Sequence, residues 1–330
     1  MSYVLVTGGA GYIGSHTCRH LLAAGYQVLV LDNLYSGHRW AVPSEAHFIE
    51  GDAGCEKTVS NIFDEFDVNA IVHFAGHIVV PESVENPLKY YQNNCQVTQN
   101  LAKTAIANGI EHLIFSSSAA VYGEPDELPV NENTLTSPIS PYGRTKLISE
   151  WLLEDLSNAY DQFNFVALRY FNVAGAALDG SVGQATPAAT HLIKVACELV
   201  TGKRDQIALF GTDYPTADGT CVRDYIHIED LAAAHVSALR YLQSGGDSNV
   251  FNCGYGHGFS VKQVLDCISS LVGETLNVEI QGRRAGDPAE LIANNHKILS
   301  SLDWQPKHND IELICQTALD WERHLAKQTT

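Results

Sequence analysis

The chain has 330 residues, of which 45% are hydrophobic, and it carries a formal charge of −18 at pH 7. This acidic balance argues against a nucleic-acid partner, because neutralising a phosphate backbone needs clustered lysine and arginine. It still permits a phosphate ligand held by two or three local arginines. The sequence has no apolar run of the ~20 residues that a membrane-spanning helix needs, so no membrane partner is expected.

The N-terminal run and the cysteines indicate the compartment. The first residues form a strand-like apolar run without the basic segment and cleavage site of a signal peptide. The eight cysteines form no Cys-x-x-Cys pair, and no Cys/His group has the spacing of a zinc site. Scattered cysteines in a long chain are usually reduced and buried. We therefore expect a cytoplasmic protein without a metal site.

Short apolar runs alternate with helical patterns through the first half of the chain. Each run is nearly continuous, which is typical of parallel strands covered on both faces. The predicted strands are Tyr3–Thr7, Gln27–Asp32, His47–Asp52, Ala70–Phe74, His112–Ser116 and Phe165–Tyr170. The main predicted helices between them are Gly14–Ala24, Tyr90–Asn108 and Tyr142–Ala159. The repeated strand–helix–strand units predict an α/β fold with a doubly wound parallel sheet of the Rossmann type.

The composition changes after Asn172, where glycine, proline and threonine become frequent in stretches such as AGAALDGSVGQATPAAT and GTDYPTADGT. Strands and helices are predicted to be shorter there. We therefore expect residues 1–172 to form the Rossmann domain and residues 173–330 to form a smaller mixed α/β lobe. The boundary is soft, because we expect some later segments to return to the first domain.

A glycine-rich turn lies between the first strand and the first helix, with glycines at positions 8, 11 and 14. In a dinucleotide-binding fingerprint, Gly8 would permit the tight turn and Gly11 would let a pyrophosphate approach the backbone. Gly14 would let the helix pack on the strand. The free N–H groups at the helix start would then receive the phosphates. Alone, the motif is also compatible with an ordinary glycine-rich turn.

Two carboxylates at strand ends extend the fingerprint. Asp32 ends the second strand about twenty residues further on, where a carboxylate accepts hydrogen bonds from the adenosine ribose. Because it would repel a 2′-phosphate, NAD is favoured over NADP, although Arg39 lies near enough to soften this preference. Asp52 ends the third strand and is either a contact for the adenine or a plain turn-former.

Tyr142 and Lys146 have the YxxxK spacing at the start of a predicted helix, which places the phenol and the ammonium on one face. A nearby Lys⁺ and an oxidised nicotinamide would both favour the phenolate, so that Tyr142 could act as a base near neutral pH. Ser118 follows the strand that ends at Phe115, at the edge where open α/β sheets bind ligands. Its hydroxyl could share a reacting oxygen with Tyr142. The alternatives are that the spacing of Tyr142 and Lys146 arises by chance and that Ser118 serves only to form a turn.

Six segments, three of which contain the candidate residues above, follow one another along the chain: TGGAGYIGS, FSSSAAVYGE, SPYGRTK, RYFNVAG, FGTDYPTADGTCVRDYIHIEDLAAAH and GRRAGDP. They resemble the UDP-galactose 4-epimerases of the extended short-chain dehydrogenase/reductase family over nearly the whole chain. The resemblance implies NAD as cofactor, a UDP-sugar as substrate and a homodimer formed through the helices near residues 90–108 and 142–159. The implied reaction interconverts UDP-glucose and UDP-galactose.

The resemblance also implies roles for the three candidate catalytic residues. Tyr142 would remove the proton from the sugar 4-hydroxyl while C4 gives its hydride to NAD. Lys146 would hold the nicotinamide ribose and lower the pKa of the tyrosine, and Ser118 would position the reacting oxygen. A 4-keto intermediate would rotate and take the hydride back on its other face, so the net redox change is zero and NAD stays bound.

Contacts are implied on both sides of the site. For the cofactor, the matching positions beyond the glycines are Tyr12, Ile13, Asp32, Asn33, Asp52, Ala53, Phe74, Ala75, Gly76, Asn93, Tyr142, Lys146 and Phe171. For the substrate they are Ser118, Tyr142, Asn172, Phe210, Arg223, Arg284, Asp287 and Leu291. Phe210 would lie beside the uracil, while the arginines, with Asp287, would clamp the diphosphate and ribose, a task for which the planar guanidinium is suited.

Three positions depart from the family pattern. Ile78 stands where some members have a lysine that contacts the cofactor, and His191 stands where familiar members have an asparagine. Leu291 replaces a larger tyrosine beside the sugar 2-substituent, which leaves room for an N-acetyl group. A 4-epimerase of UDP-GlcNAc/GalNAc, UDP-glucuronate or UDP-xylose is therefore the main alternative.

Other reaction classes are also open to a chain with this cofactor chemistry. Sugar-nucleotide dehydratases carry an acid–base pair at the positions of Ala119 and Ala120, and a methyl group cannot transfer protons, so dehydration is disfavoured. A dehydrogenase that releases NADH and a non-catalytic NAD-binding protein remain as further alternatives.

Overall fold

The computed structural model describes residues 2–284 and 287–328. Its strands in chain order are β1 (Tyr3–Thr7), β2 (Gln27–Asp32), β3 (His47–Glu50), β4 (Val68–His73), β5 (His112–Ser118), β6 (Asn164–Tyr170), β7 (Asn172–Ala174), β8 (Ile207–Phe210), β9 (Val222–Arg223), β10 (Tyr225–His227), β11 (Asn249–Cys253), β12 (Phe259–Ser260), β13 (Val278–Gln281) and β14 (Glu290–Leu291).

The α-helices in chain order are α1 (Tyr12–Ala23), α2 (Glu56–Glu65), α3 (Val80–Glu85), α4 (Pro87–Tyr90), α5 (Val97–Ala107), α6 (Pro141–Ala159), α7 (Leu192–Val200), α8 (Ile228–Gln243), α9 (Val261–Val272), α10 (His296–Ser301) and α11 (Ile311–Gln328). No helix of the described residues is long and apolar enough to cross a membrane.

Seven strands form one parallel sheet in the order β11–β6–β5–β4–β1–β2–β3. Alternate residues of each strand face opposite sides, so Val4 and Val6 enter one core cluster and Leu5 enters the other. Helices α1 and α8 pack together, and α8 also packs on β5 and β6. The prediction of a doubly wound parallel sheet is confirmed. Strands run outward in both directions from β1 and β4, and this switch point is where such sheets bind ligands.

Some predicted boundaries differ from those of the structure. Strand β3 ends at Glu50, two residues earlier than predicted, because Asp52 turns back and its Oδ1 accepts from the Gly54 N–H at 2.7 Å. The predicted helix over 90–108 contains a π-helical segment, Tyr91–Gln96, before α5. Side chains of this segment accept from the loop after β4, which accounts for the irregular turn.

The second half of the chain contains small sheets and also extends the large one. Strands β7 and β10 pair in parallel, β12–β9–β14 form a three-stranded sheet, and β8 pairs with β13. Helices α7, α9 and α11 pack against one another beside them. Strand β11 adds to the edge of the large sheet next to β6, and α8 covers that sheet. A division of the chain at residue 172 stays a prediction.

Candidate active site

A cavity of about 630 Å³ opens at the carboxyl edge of the large sheet. Its walls come from the loops after β1, β2, β4 and β5, from the start of α6 and from the second half of the chain. Polar side chains from distant segments therefore face one enclosed space, which is the usual form of a small-molecule site.

The glycine loop packs too closely against its neighbours to carry side chains at two positions. A Cβ on Gly8, whose φ is +72°, would lie 2.7 Å from the Ala75 nitrogen, and one on Gly14 would lie 2.2 Å from the Gly8 oxygen. A Cβ on Gly11 would meet only the Gly8 oxygen, at 3.2 Å. Gly11 lies at the N-cap of α1, where no side chain caps the helix. The start of α1 thus forms part of the cavity wall and suits a phosphate ligand.

Asp32 ends β2 and is buried beside this loop. Its two carboxylate oxygens accept from the backbone N–H of Ala10 at 2.9 Å and of Leu34 at 2.8 Å. Burial raises the pKa of Asp32, while the two N–H donors lower it. Each carboxylate oxygen has a further lone pair, and the residue lines the cavity, so it can still accept from a ribose hydroxyl.

Most of the predicted cofactor positions share the cavity wall. The lining residues among them are Gly8, Gly11, Tyr12, Ile13, Gly14, Asp32, Asn33, Asp52, Ala53, Phe74, Ala75, Gly76, Asn93, Tyr142 and Phe171. Closely packed glycines, a strand-end carboxylate and a free helix start are the features that an extended dinucleotide requires, so the residues present fit NAD.

Ser118 and Tyr142 meet at the end of β5. Tyr142 lies in the first turn of α6, which Ser140 caps by accepting from the Gly143 N–H at 3.1 Å. Burial raises the pKa of Tyr142, and the nearby Ser118 hydroxyl opposes that rise. Both residues line the cavity. A phenol and a hydroxyl in contact at a strand end can share one proton of a bound alcohol.

Lys146 lies one helical turn after Tyr142 and is buried. Its Nζ donates to the Ser116 carbonyl oxygen at 2.7 Å and lies 5.9 Å from the centre of the Tyr142 ring. Burial lowers the pKa of Lys146 to about 8, although Cys95 and Glu150 act in the opposite direction. The role of Lys146 in lowering the pKa of Tyr142 stays a prediction, since in this structure its ammonium is turned towards the Ser116 oxygen.

Four predicted substrate residues line the opposite wall. The Asn172 N–H donates at 2.9 Å to the carbonyl oxygen of Asp224, the residue that follows Arg223 at the end of β9. Arg223 forms an ion pair with Asp287, and Leu291 of β14 lies opposite Arg223 in register. This wall holds one guanidinium beside one carboxylate, so a diphosphate could approach the cation from the cavity.

Two further predicted substrate residues contact each other instead of the cavity. The Arg284 guanidinium lies 3.8 Å from the centre of the Phe210 ring, and neither residue is among those that line the cavity. The Asp287 N–H donates to the Arg284 carbonyl oxygen at 3.3 Å, which ties Arg284 to the lining residue Asp287. The motif that carries both continues through Ala285 and Gly286, which lie outside the described residues.

The departures from the family pattern also reach the cavity. Ile78 lines it, so an alkyl group faces the place where some members have a cation. His191 lines it as well, and its Nδ1 lies 2.9 Å from the Gln184 amide nitrogen.

Sequence reasoning missed a group on the far wall, formed by Lys194, Trp321 and Glu322. Lys194 on α7 forms an ion pair with Glu322 on α11, 128 positions away, and a second one with Glu198 at 3.4 Å. No local motif marks this contact. The available signal was a lysine inside the apolar run LIKVACELV, because a buried lysine requires a partner.

The doubly wound sheet, the glycine loop and the Ser118–Tyr142–Lys146 group together define a dinucleotide-dependent enzyme of the short-chain dehydrogenase/reductase type. The sequence matches the NAD dependent epimerase/dehydratase family over residues 4–254, and the chain belongs to this family.

Three proteins that are similar to this chain are described as 4-epimerases of UDP-sugars. A UDP-glucose 4-epimerase of Azospirillum brasilense is 49% identical over 98% of this chain and 92% of its own length. The crystal structure of UDP-glucose 4-epimerase from Brucella ovis in complex with NAD is 42% identical, with a TM-score of 0.94 and 99% of each chain covered. The UDP-Glc/GlcNAc 4-epimerase of Campylobacter jejuni is 49% identical, with a TM-score of 0.87 over 98% of this chain and 100% of that one.

Proposed function

We propose that the protein is an NAD-dependent UDP-glucose 4-epimerase, which interconverts UDP-glucose and UDP-galactose by inverting C4 of the sugar. The observation that carries this proposal is one cavity lined by the glycine loop, by Ser118 and Tyr142, and by the Arg223–Asp287 pair. A nucleotide-sugar bound across that space would present its ring to the phenol. The similarity to UDP-glucose 4-epimerases over almost the whole chain supports the same reaction.

Side chains of the protein transfer the proton of the sugar 4-hydroxyl. Tyr142 Oη takes this proton when the 4-keto intermediate forms and returns it when the alcohol is restored, while Ser118 Oγ positions the same oxygen. When bound, NAD would supply the reversible hydride-acceptor chemistry that inversion of C4 requires. Because burial raises the pKa of Tyr142, loss of its proton needs positive charge nearby, and Lys146 Nζ lies 5.9 Å from the centre of its ring.

The backbone holds the cofactor more than side-chain charge does. The start of α1 would receive the pyrophosphate, and Asp32 would accept from the adenosine ribose, which favours NAD over NADP. Lys146 would hold the nicotinamide ribose from the other end. Its donation to the Ser116 oxygen fixes the ammonium beside Ser118 and limits its freedom.

The UDP end would be held mainly by side chains. Asn172 and Arg223 would bind the diphosphate, with Asp287 fixing the guanidinium and accepting from the uridine ribose. Phe210 and Arg284 would form the outer edge at the uracil. For that role the Arg284 side chain would turn from the Phe210 ring towards the ligand.

A second candidate activity is 4-epimerisation of UDP-GlcNAc and UDP-GalNAc. Leu291 lines the cavity and is the register partner of Arg223 on the neighbouring strand. Its side chain is smaller than the tyrosine of other family members. The Campylobacter jejuni protein, described as a UDP-Glc/GlcNAc 4-epimerase, is 49% identical to this chain. Leu291→Tyr should lower turnover of the N-acetylated sugars and leave that of UDP-galactose, because only the 2-substituent meets the added ring.

We also propose that two copies associate through α5 and α6. Trp151 on α6 is 53% exposed, and large exposed apolar side chains on a helix often mark contacts between proteins. Sedimentation equilibrium should give twice the mass of the chain, whereas the mass of a single chain would contradict the proposal.

The reaction is tested by incubating the purified protein with UDP-galactose, UDP-GlcNAc or UDP-glucuronate, without added NAD, and identifying the products. We expect UDP-glucose from UDP-galactose and no net formation of NADH. Net NADH would indicate a dehydrogenase, and conversion of UDP-glucuronate alone would indicate another 4-epimerase. If no sugar is converted although NAD is bound, the protein is not an epimerase of these substrates.

A further inference from the structure

Two loops meet above the glycine loop. Tyr35 belongs to the loop after β2 and His77 to the loop after β4, and their ring centres lie 4.8 Å apart in an edge-on arrangement. Strand β1 lies between β4 and β2 in the sheet, so this contact crosses the carboxyl end of β1. Both residues line the cavity. A ligand on the glycine loop, which follows β1 directly, would therefore lie beneath the Tyr35–His77 contact.

An ion pair fixes the tyrosine side of this contact. Lys89 Nζ donates to the Tyr35 hydroxyl at 3.0 Å and lies 5.3 Å from the centre of its ring. Lys89 also pairs with Glu82, which accepts from the Tyr90 hydroxyl at 2.8 Å. Tyr35 is 64% exposed, so burial in the core does not account for its position. The bond to the cation holds this exposed aromatic ring at the cavity wall.

The backbone fixes the histidine side. The His77 N–H donates to Asn93 Oδ1 at 3.0 Å and to Asn94 Oδ1 at 2.8 Å, and Asn94 Nδ2 donates back to the His77 oxygen at 3.0 Å. These asparagines lie in the π-helical segment Tyr91–Gln96, a feature that often occurs at functional sites. His77 is thus held by three hydrogen bonds, and its ring provides a fixed surface against which Tyr35 closes.

We propose that Tyr35 and His77 form an aromatic strap that retains the dinucleotide and that Lys89 is the residue that positions it. Ile78, the residue after His77, also lines the cavity and brings no charge to this edge. Lys89 supplies a cation to the same edge, but it acts through the Tyr35 ring instead of touching the ligand. The inference rests on NAD as the cofactor of the proposed reaction.

The strap predicts slower cofactor release rather than faster chemistry. Release is measured on protein purified with bound NAD, in the absence of UDP-sugar, by trapping freed NAD with an excess of an NAD-reducing dehydrogenase and its substrate. Tyr35→Ala should release NAD about tenfold faster, because the ring contact and the bond to Lys89 are both lost. Lys89→Met should release it about threefold faster. Lys103→Met, which removes an exposed lysine paired with Glu56, is the matched control and should release NAD like the parent.

The double variant separates positioning from a general effect of charge. If Lys89 acts only through Tyr35, adding Lys89→Met to Tyr35→Ala should not accelerate release further. Additive acceleration would overturn the positioning role of Lys89, and parental release from Tyr35→Ala would overturn the strap. Because the assay contains no UDP-sugar, these outcomes are independent of whether the parent protein epimerises UDP-galactose.

Discussion

The two sides of the cavity are built by different means. The cofactor side consists of the ends of one parallel sheet and a glycine loop in which an added Cβ at Gly14 would meet backbone at 2.2 Å. The substrate side places a charged pair, Arg223 and Asp287, beside two-residue strands and long loops. Packed backbone suits a cofactor that stays bound, whereas side chains can adjust to a substrate that enters, rotates and leaves.

The largest effect on turnover is expected from replacing Tyr142. Tyr142→Phe removes the only proton-transferring atom of that side chain and should lower kcat by about 10³-fold, within the usual range for a general acid–base residue. The KM for UDP-galactose, the bound NAD and the melting temperature should stay close to those of the parent. Steady-state kinetics at saturating UDP-galactose provide the measurement, and a rate near the parental one would remove Tyr142 from the mechanism.

The second largest effect is expected on NAD affinity, and it distinguishes Gly11 from Gly14 on the cofactor side. In Gly11→Ala the methyl group meets only the Gly8 oxygen, at 3.2 Å, so the fold should persist while the phosphate approach is blocked. NAD affinity should fall about hundredfold, as measured by calorimetry on protein freed of NAD. Gly14→Ala drives a methyl into backbone and should instead lower the free energy of unfolding by about 2 kcal/mol. Equal NAD affinity in Gly11→Ala and the parent would contradict the account of this loop.

A smaller effect is expected from the arginines of the substrate side. Arg223→Met removes the guanidinium that lines the cavity and should weaken UDP binding about tenfold, as measured by calorimetry on the NAD-bound protein. Arg284→Met should weaken it only about threefold, because this guanidinium must first leave the Phe210 ring. NAD retention should be unchanged in both variants. The reverse order of effects would show that Arg284, and not Arg223, is the main contact.

Features formed by consecutive elements of the chain can be predicted from sequence, whereas contacts between distant elements cannot. The parallel sheet and the close packing of Gly8 and Gly14 follow from local patterns, because strand, turn and helix are consecutive in the chain. The Lys194–Glu322 pair does not, since its partners come from helices that meet only in the folded chain. The helical spacing of Tyr142 and Lys146 indicated a shared face. It could not show that the ammonium turns to the Ser116 oxygen, because that acceptor lies on another strand.

The central claim is that the hydrogen on C4 of the sugar leaves and returns within one closed site. UDP-galactose labelled with deuterium at C4 is incubated with the purified protein in ordinary water, without added NAD, and the product is examined by mass spectrometry. The account predicts UDP-glucose that keeps its deuterium at C4. Replacement of that deuterium by solvent hydrogen during conversion would contradict it.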